Sequence, residues 1–115
     1  MHSSPKGLPL EVDVHTVKAM LDSGEPFLLL DCREASECAL VKIEKSTHIP
    51  MHETSERVGQ LKPHQQSRVV VYCHHGGRSL QVTHWLRDQG FDKAQSMAGG
   101  IDQWSVTIDP SKPRY

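Results

Sequence analysis

The chain lacks most features that mark specialised protein classes. No apolar run approaches the roughly 20 residues that a membrane-spanning helix needs, so a helical anchor within the sequence is excluded. The opening stretch, "MHSSPKGLPLEVDV", has no apolar core suited to a secretory signal peptide, and a cytoplasmic location is expected. Charge of one sign is also missing. Thirteen Lys and Arg stand against fourteen Asp and Glu, a net charge of −1, and the cations are scattered. That excludes a phosphate-tracking stripe for nucleic acid or an anionic membrane. Cysteine is scarce and odd in number, with Cys32, Cys38 and Cys73 only, which is no disulfide framework. There is no repeat, low-complexity block or internal linker. What remains, at 37% hydrophobic and 23% charged over 115 residues, is an ordinary globular domain with room for a core.

Along residues 1–115, one domain is expected, with 1–9 and 108–115 as loose tails. "EVDVHTVKAMLDSGEP" offers Asp13 as an N-cap, Val14, Val17, Met20 and Leu21 as an apolar face, and Gly24 as a stop. "FLLLD" and "RVVVYC" are continuous apolar runs, the pattern of strands covered on both faces. Between them, "EASECALV" suits a helix or helical turn, "THIPM" a short strand and "ETSERVGQL" a further helical piece. "RSLQVTHWLRDQG" places Val82, Trp85, Leu86 and Gln89 on one helical face before Gly90. "KAQSM" reads as a last strand. Helices alternating with apolar strands predict an α/β fold, its mostly parallel central sheet flanked by helices on both faces. Ligands in such sheets bind beyond the carboxyl ends of the strands. Asp31-Cys32-Arg33 and Cys73 fall at two such ends.

Cys73 opens the loop "CHHGGRS" between a buried strand and a helix start. A free thiol has a pKa of about 8.5 and is mostly protonated at neutral pH. Positive potential makes it a nucleophile, and this loop offers several sources. Gly76 and Gly77 can turn backbone N–H groups inward as an anion nest. The helix opening near Ser79 adds free N–H groups and a positive dipole end. Arg78 supplies a fixed charge, and His74 and His75 titratable ones. The site expected from these residues has Cys73 as its reactive atom and the stretch from His74 to Ser79 as its anion-binding lining. Each histidine, taken alone, reads as a solvated loop side chain rather than a general base. Three adjacent residues cannot readily aim at one ion, so no metal is expected. Cys32 and Cys38 do not form a C-x-x-C pair. Cys32 is expected to pack at a strand end and Cys38 on a helix face.

"CHHGGRS" resembles the C-x-x-G-x-R-S loop of single-domain rhodaneses, the thiosulfate sulfurtransferases. "FLLLDCRE" is similar to that family's strand ending in D-x-R-E, "HIPM" to the segment after it, and "MAGGIDQW" to its closing L-x-G-G-x-x-x-W. The resemblance implies a rhodanese-like fold and a two-step transfer. Cys73 would take sulfane sulfur from thiosulfate or a similar small anionic donor as a persulfide. It would then pass the sulfur to cyanide or a thiol, including a protein thiol, with no cofactor. It also implies that Arg78 orients the loop and attracts donor, that Arg33 binds donor at the pocket mouth, and that Asp31 anchors structure. Trp104 is core or pocket wall. Two other functions stay open: a non-catalytic binding module of the same fold, and a phosphatase or arsenate reductase. The six residues from Cys73 to Arg78 favour sulfur over phosphate, because the related phosphatases carry a loop one residue longer. The chain departs from the family at "VKIEKS" (41–46), where glycines, a proline and a histidine are common. It departs again at Cys32, where valine or isoleucine is usual, and at Cys38, where an aromatic is common.

Overall fold

A computed structural model of the chain describes residues 8–115. Five strands form one sheet: β1 (Glu11–Val12), β2 (Leu28–Asp31), β3 (Thr47–His48), β4 (Val69–Tyr72) and β5 (Ala94–Met97). Their order is β1-β5-β4-β2-β3 and every neighbouring pair is parallel. Four helices connect them: α1 (Val14–Ser23), α2 (Ala35–Leu40), α3 (Gly77–Asp88) and α4 (Gly100–Thr107). Among these residues no helix is long and apolar enough to cross a membrane.

The central strands are buried along their whole length, so successive side chains must satisfy two apolar layers in turn. Leu29, Val70, Tyr72 and Met97 face one layer with Val17 and Met20 of α1 and Ile101 and Trp104 of α4. Leu28, Leu30, Cys32, Val69, Val71 and Cys73 face the other, with Val82 and Leu86 of α3 and with Ile49 and Phe91. Each fully buried aliphatic side chain contributes about 1.5–3 kcal/mol, so these two layers carry most of the fold's stability.

Local signals set the boundaries. Asp13 caps α1 by accepting a 2.7 Å hydrogen bond from the Thr16 N–H, and Gly24 closes the helix in the left-handed region at φ 73°. The segment expected as a helix around "ETSERVGQL" is instead a series of 3₁₀ turns, Met51–Glu53, Val58–Gln60 and Lys62–His64. Its few apolar residues, Val58 and Leu61, give it too little to bury as a full helix. The two-residue strand β1 belongs to a stretch that reads as the approach to a helix.

The loose tails need correction. Residues 1–7 of the first lie outside the described residues, but the carbonyls of Leu8 and Pro9 accept hydrogen bonds from the Arg87 guanidinium. At the other end Lys112 pairs with Glu44, Arg114 with Asp102, and the Tyr115 hydroxyl with Glu37 and Arg33. Charged and phenolic side chains tie down a segment that has no apolar pattern.

The direction in which strands are added to the sheet reverses between β2 and β4. After β2 the chain adds β3 on one side, and after β4 it adds β5 on the other. The crevice at such a switch point is where open parallel sheets place their ligands. Cys32 and Cys73 are the first residues past these two strand ends.

Candidate active site

The loop after β4 wraps around the sulfur of Cys73. Gly76 adopts φ 119°, a conformation closed to most L-residues, and this turns its N–H back toward the strand end. The Gly76 N–H donates to Cys73 Sγ at 3.1 Å and the Ser79 N–H at 3.3 Å. The helix starts at Gly77, two residues earlier than expected, so Gly77 has helical rather than nest geometry. Ser79 Oγ lies 3.4 Å from the sulfur and 2.8 Å from Ser96 Oγ on β5. When the sulfur is a thiolate, the Ser79 hydroxyl turns its proton to it, and Ser96 donates in turn to Ser79.

These contacts hold the Cys73 thiol far below its ordinary value, to about 4. The neighbouring Cys32 thiol contributes most. Burial opposes the shift, and the Ser79 hydroxyl, the Ser79 N–H and the Gly76 N–H reinforce it. Cys32 moves in the opposite direction, raised by the Cys73 sulfur beside it and by burial. The result is a thiolate at neutral pH, only 1% exposed, inside a cradle of N–H donors. Such a cradle stabilises negative sulfur wherever it develops.

The carbonyl side of the loop is fixed by α4. The Ile101 N–H donates to the Cys73 carbonyl at 2.9 Å and the Asp102 N–H to the His74 carbonyl at 3.1 Å. Gly99 and Gly100 have φ of 82° and 61°, and a Cβ on Gly100 would overlap both carbonyl oxygens. Gly100→Ala is therefore expected to cost about 1–3 kcal/mol from overpacking, with a further penalty from the left-handed φ. Denaturant unfolding reads this directly, and a loss below about 1 kcal/mol would mean that the loop does not need this close approach.

Arg33 does not stand at the pocket mouth. It is fully buried, and its guanidinium grips Asp31 through Nε–Oδ1 at 3.0 Å and Nη2–Oδ2 at 2.7 Å. It also donates to the Val41 carbonyl at 2.7 Å and to the Tyr115 hydroxyl at 3.0 Å. A planar fork with five donors suits a carboxylate and a carbonyl inside a protein better than a passing anion. Burial works against ionising Asp31, and the Arg33 hydrogen bonds overcome it to hold the carboxyl below its usual range. Asp31 also accepts the Arg33 backbone N–H at 3.0 Å, so the pair shapes the turn after β2.

Arg78 reaches across to α2, where Glu37 receives two parallel hydrogen bonds of 2.7 and 2.9 Å. Arg78 holds the Glu37 carboxyl down to about 2 against a smaller opposing effect of burial. Glu37 also accepts the Tyr115 hydroxyl at 2.7 Å. Nothing in the sequence marks Glu37, Ser96 or Tyr115, which meet the loop only through the fold. His74 is not simply solvated. Its ring stacks with His75 and with Tyr115, each at 3.8 Å, and its Nε2 is buried without a hydrogen-bond partner among the described residues. His75 is exposed, 3.9 Å from Asp102. His74, His75 and Asp102 bring potential ligand atoms within 4.8 Å of one another, but the Arg114 guanidinium already occupies both Asp102 oxygens at 2.8 and 3.1 Å. The segment 41–46 is held by Tyr72, whose hydroxyl accepts the Ile43 N–H and donates to Ser46 Oγ.

Comparison with known proteins places this arrangement in a family. A rhodanese-like domain model matches residues 13–107. A sulfurtransferase of Allochromatium vinosum is 32% identical over 95 residues, covering 83% of this chain and 87% of its own length. The adenylyltransferase and sulfurtransferase MOCS3-1 of Zea mays is 34% identical over 103 residues, 85% of this chain. The chain spans about a fifth of that relative's length, 22%. Among solved structures, a thiosulfate sulfurtransferase from Pseudomonas aeruginosa superposes with a TM-score of 0.76 at 27% identity, covering 84% of this chain and 18% of that one. The human single-domain sulfurtransferase TSTD1 shares the fold with a TM-score of 0.76 at 23% identity, over 86% of this chain and 97% of its own. With its parallel sheet, its cysteine loop at the switch point and these relatives, the chain belongs to the rhodanese-like domain family.

Proposed function

We propose that this chain is a sulfurtransferase that carries sulfane sulfur on Cys73, taking it from thiosulfate or a similar small anionic donor. The observation that carries this reading is the sulfur of Cys73 held by the Gly76 and Ser79 N–H groups. Thiolate Sγ attacks the outer sulfur of the donor, the bond between the donor's two sulfurs breaks, and sulfite leaves with its electron pair. The terminal sulfur of the persulfide bears the developing charge and draws on the same donors. A thiol or cyanide then attacks that outer sulfur, and Cys73 is released as the thiolate. Two displacements replace one, and the low thiol pKa makes Cys73 a good leaving group in the second. No step requires a cofactor or a general base.

Arg78 contributes in two ways. Its fork to Glu37 secures the first turn of α3, and its side chain remains 31% exposed with three N–H donors free of that carboxylate. Arg78→Ala is expected to raise KM for thiosulfate about tenfold, a loss of about 1.4 kcal/mol, and to change a neutral persulfide donor less. Equal losses with both donors would confine Arg78 to holding the loop.

The reading is tested by cyanide-dependent release of thiocyanate from thiosulfate, compared between the native chain and Cys73→Ser. Turnover that vanishes in the variant supports it. Turnover that persists would remove Cys73 as carrier, and no turnover in the native chain together with aryl phosphate hydrolysis would favour the phosphatase.

A further inference from the structure

Cys32 neither takes nor gives sulfur in the transfer just described; its thiol stands beside the reactive sulfur and helps hold it as the thiolate. The register of β2 and β4 pairs Leu30 with Val71 and Asp31 with Tyr72, so the next residues, Cys32 and Cys73, are cross-strand neighbours. The ladder continues to this point, because the Cys32 N–H donates to the Tyr72 carbonyl at 3.1 Å. Both side chains leave the sheet on the same face and pack in the same layer with Leu30, Val71 and Val82. Neighbouring strands are about 4.8 Å apart, and a disulfide accepts Cα separations of about 4.4–6.8 Å. Cys38 is ruled out as an alternative. It lies on α2 with its sulfur 3.3 Å from Asp31, whose side chain alternates to the opposite face from Cys32.

We propose that Cys32 is a resolving thiol for Cys73, so that oxidation by a hydroperoxide ends in a reversible Cys32–Cys73 disulfide. Thiolate Cys73 attacks one peroxide oxygen, the S–O bond forms, the O–O bond breaks, and the departing oxygen takes a proton to become water or an alcohol. Cys32 sulfur then attacks Cys73 Sγ. The S–S bond forms, the S–O bond breaks, and hydroxide leaves with the Cys32 proton as a second water. Two thiols give up two electrons, and one hydroperoxide is reduced. Without a resolving thiol, a sulfenate in this anion cradle continues to sulfinate and sulfonate, which a thiol reductant does not reverse. The raised pKa of Cys32 fits the assignment: it stays a neutral thiol while Cys73 is reduced and does not compete as a nucleophile for donor.

The test exposes the reduced full chain to hydrogen peroxide and reads intact mass, non-reducing peptide maps and the free thiols recovered with dithiothreitol. None of these readouts depends on sulfur transfer, so failure here leaves the transferase reading standing. The native chain and Cys38→Ser should lose two hydrogens, give a peptide joining Cys32 to Cys73, and recover their thiols. Cys32→Val should instead add oxygen at Cys73 and recover on the order of tenfold less of that thiol. Cys32→Ala serves the same purpose should the larger valine disturb the layer, with circular dichroism reporting the fold. Oxygen addition to native Cys73 without the joined peptide, or a disulfide to Cys38, would overturn the proposal.

Discussion

Cys73→Ser is expected to lower sulfur transfer at least a thousandfold, on the order of the loss seen when a covalent nucleophile is removed, while the chain still folds. Serine matches the shape of cysteine, and its hydroxyl can accept from the Gly76 and Ser79 N–H groups that now hold Sγ. It cannot supply an anion at neutral pH. That difference has a second signature in stability. The folded Cys73 thiol ionises near 4, well below a thiol in the unfolded chain. A depressed pKa of this kind contributes stability that is fully present above the unfolded value and lost as pH falls toward the folded one. The native chain should therefore gain stability over Cys73→Ser as pH rises from about 5 to 8, by at most about 1.4 kcal/mol per pH unit. Parallel unfolding curves at several pH values measure it. A gap that stays constant would mean that Cys73 is a neutral thiol in the folded chain.

Arg33→Ala should be the most damaging change away from the cysteine, at about 3–5 kcal/mol, because it leaves the buried Asp31 carboxylate without its counter-charge. At about 4–8 °C per kcal/mol for a small domain, the melting temperature should fall by more than about 10 °C. Removing Asp31 together with Arg33 should cost less than Arg33→Ala alone, since no charge is then stranded. This pair of variants separates the two roles a D-x-R arginine can have. An arginine that only bound donor at the mouth would, when removed, raise KM and leave the melting temperature unchanged.

The parts legible in the sequence are those where a short stretch is under one strong demand. β2 and β4 are apolar throughout because both faces are covered, and that marks the centre of a parallel sheet before any topology is known. Asp13 and Gly24 mark the ends of α1 because a cap and a left-handed turn each need a particular residue type. The cysteine loop was readable for the same reason, through its glycines. β1, two residues long, has no period to detect, whereas β3, equally short, is marked by the "THIPM" stretch that Pro50 closes. Glu37 and Ser96 meet the loop only through α2 and β5, over 41 and 17 residues of chain. The tail followed the same logic. "DPSKPRY" has no apolar pattern, yet its Tyr115 hydroxyl, Arg114 and Lys112 find partners at fixed places on a finished surface. The direction of Arg33 is not legible, because D-x-R puts the arginine past a strand end, where only the fold shows it turning inward to Asp31 rather than outward.

The cradle around Cys73 is expected to hold a persulfide. Intact mass of the reduced chain after incubation with thiosulfate and removal of the excess tests it most directly, with Cys73→Ser alongside. A gain of one sulfur atom in the native chain alone, reversed by cyanide, is the predicted result. A folded, reduced native chain that gains no sulfur, or a variant that gains as much, would contradict it.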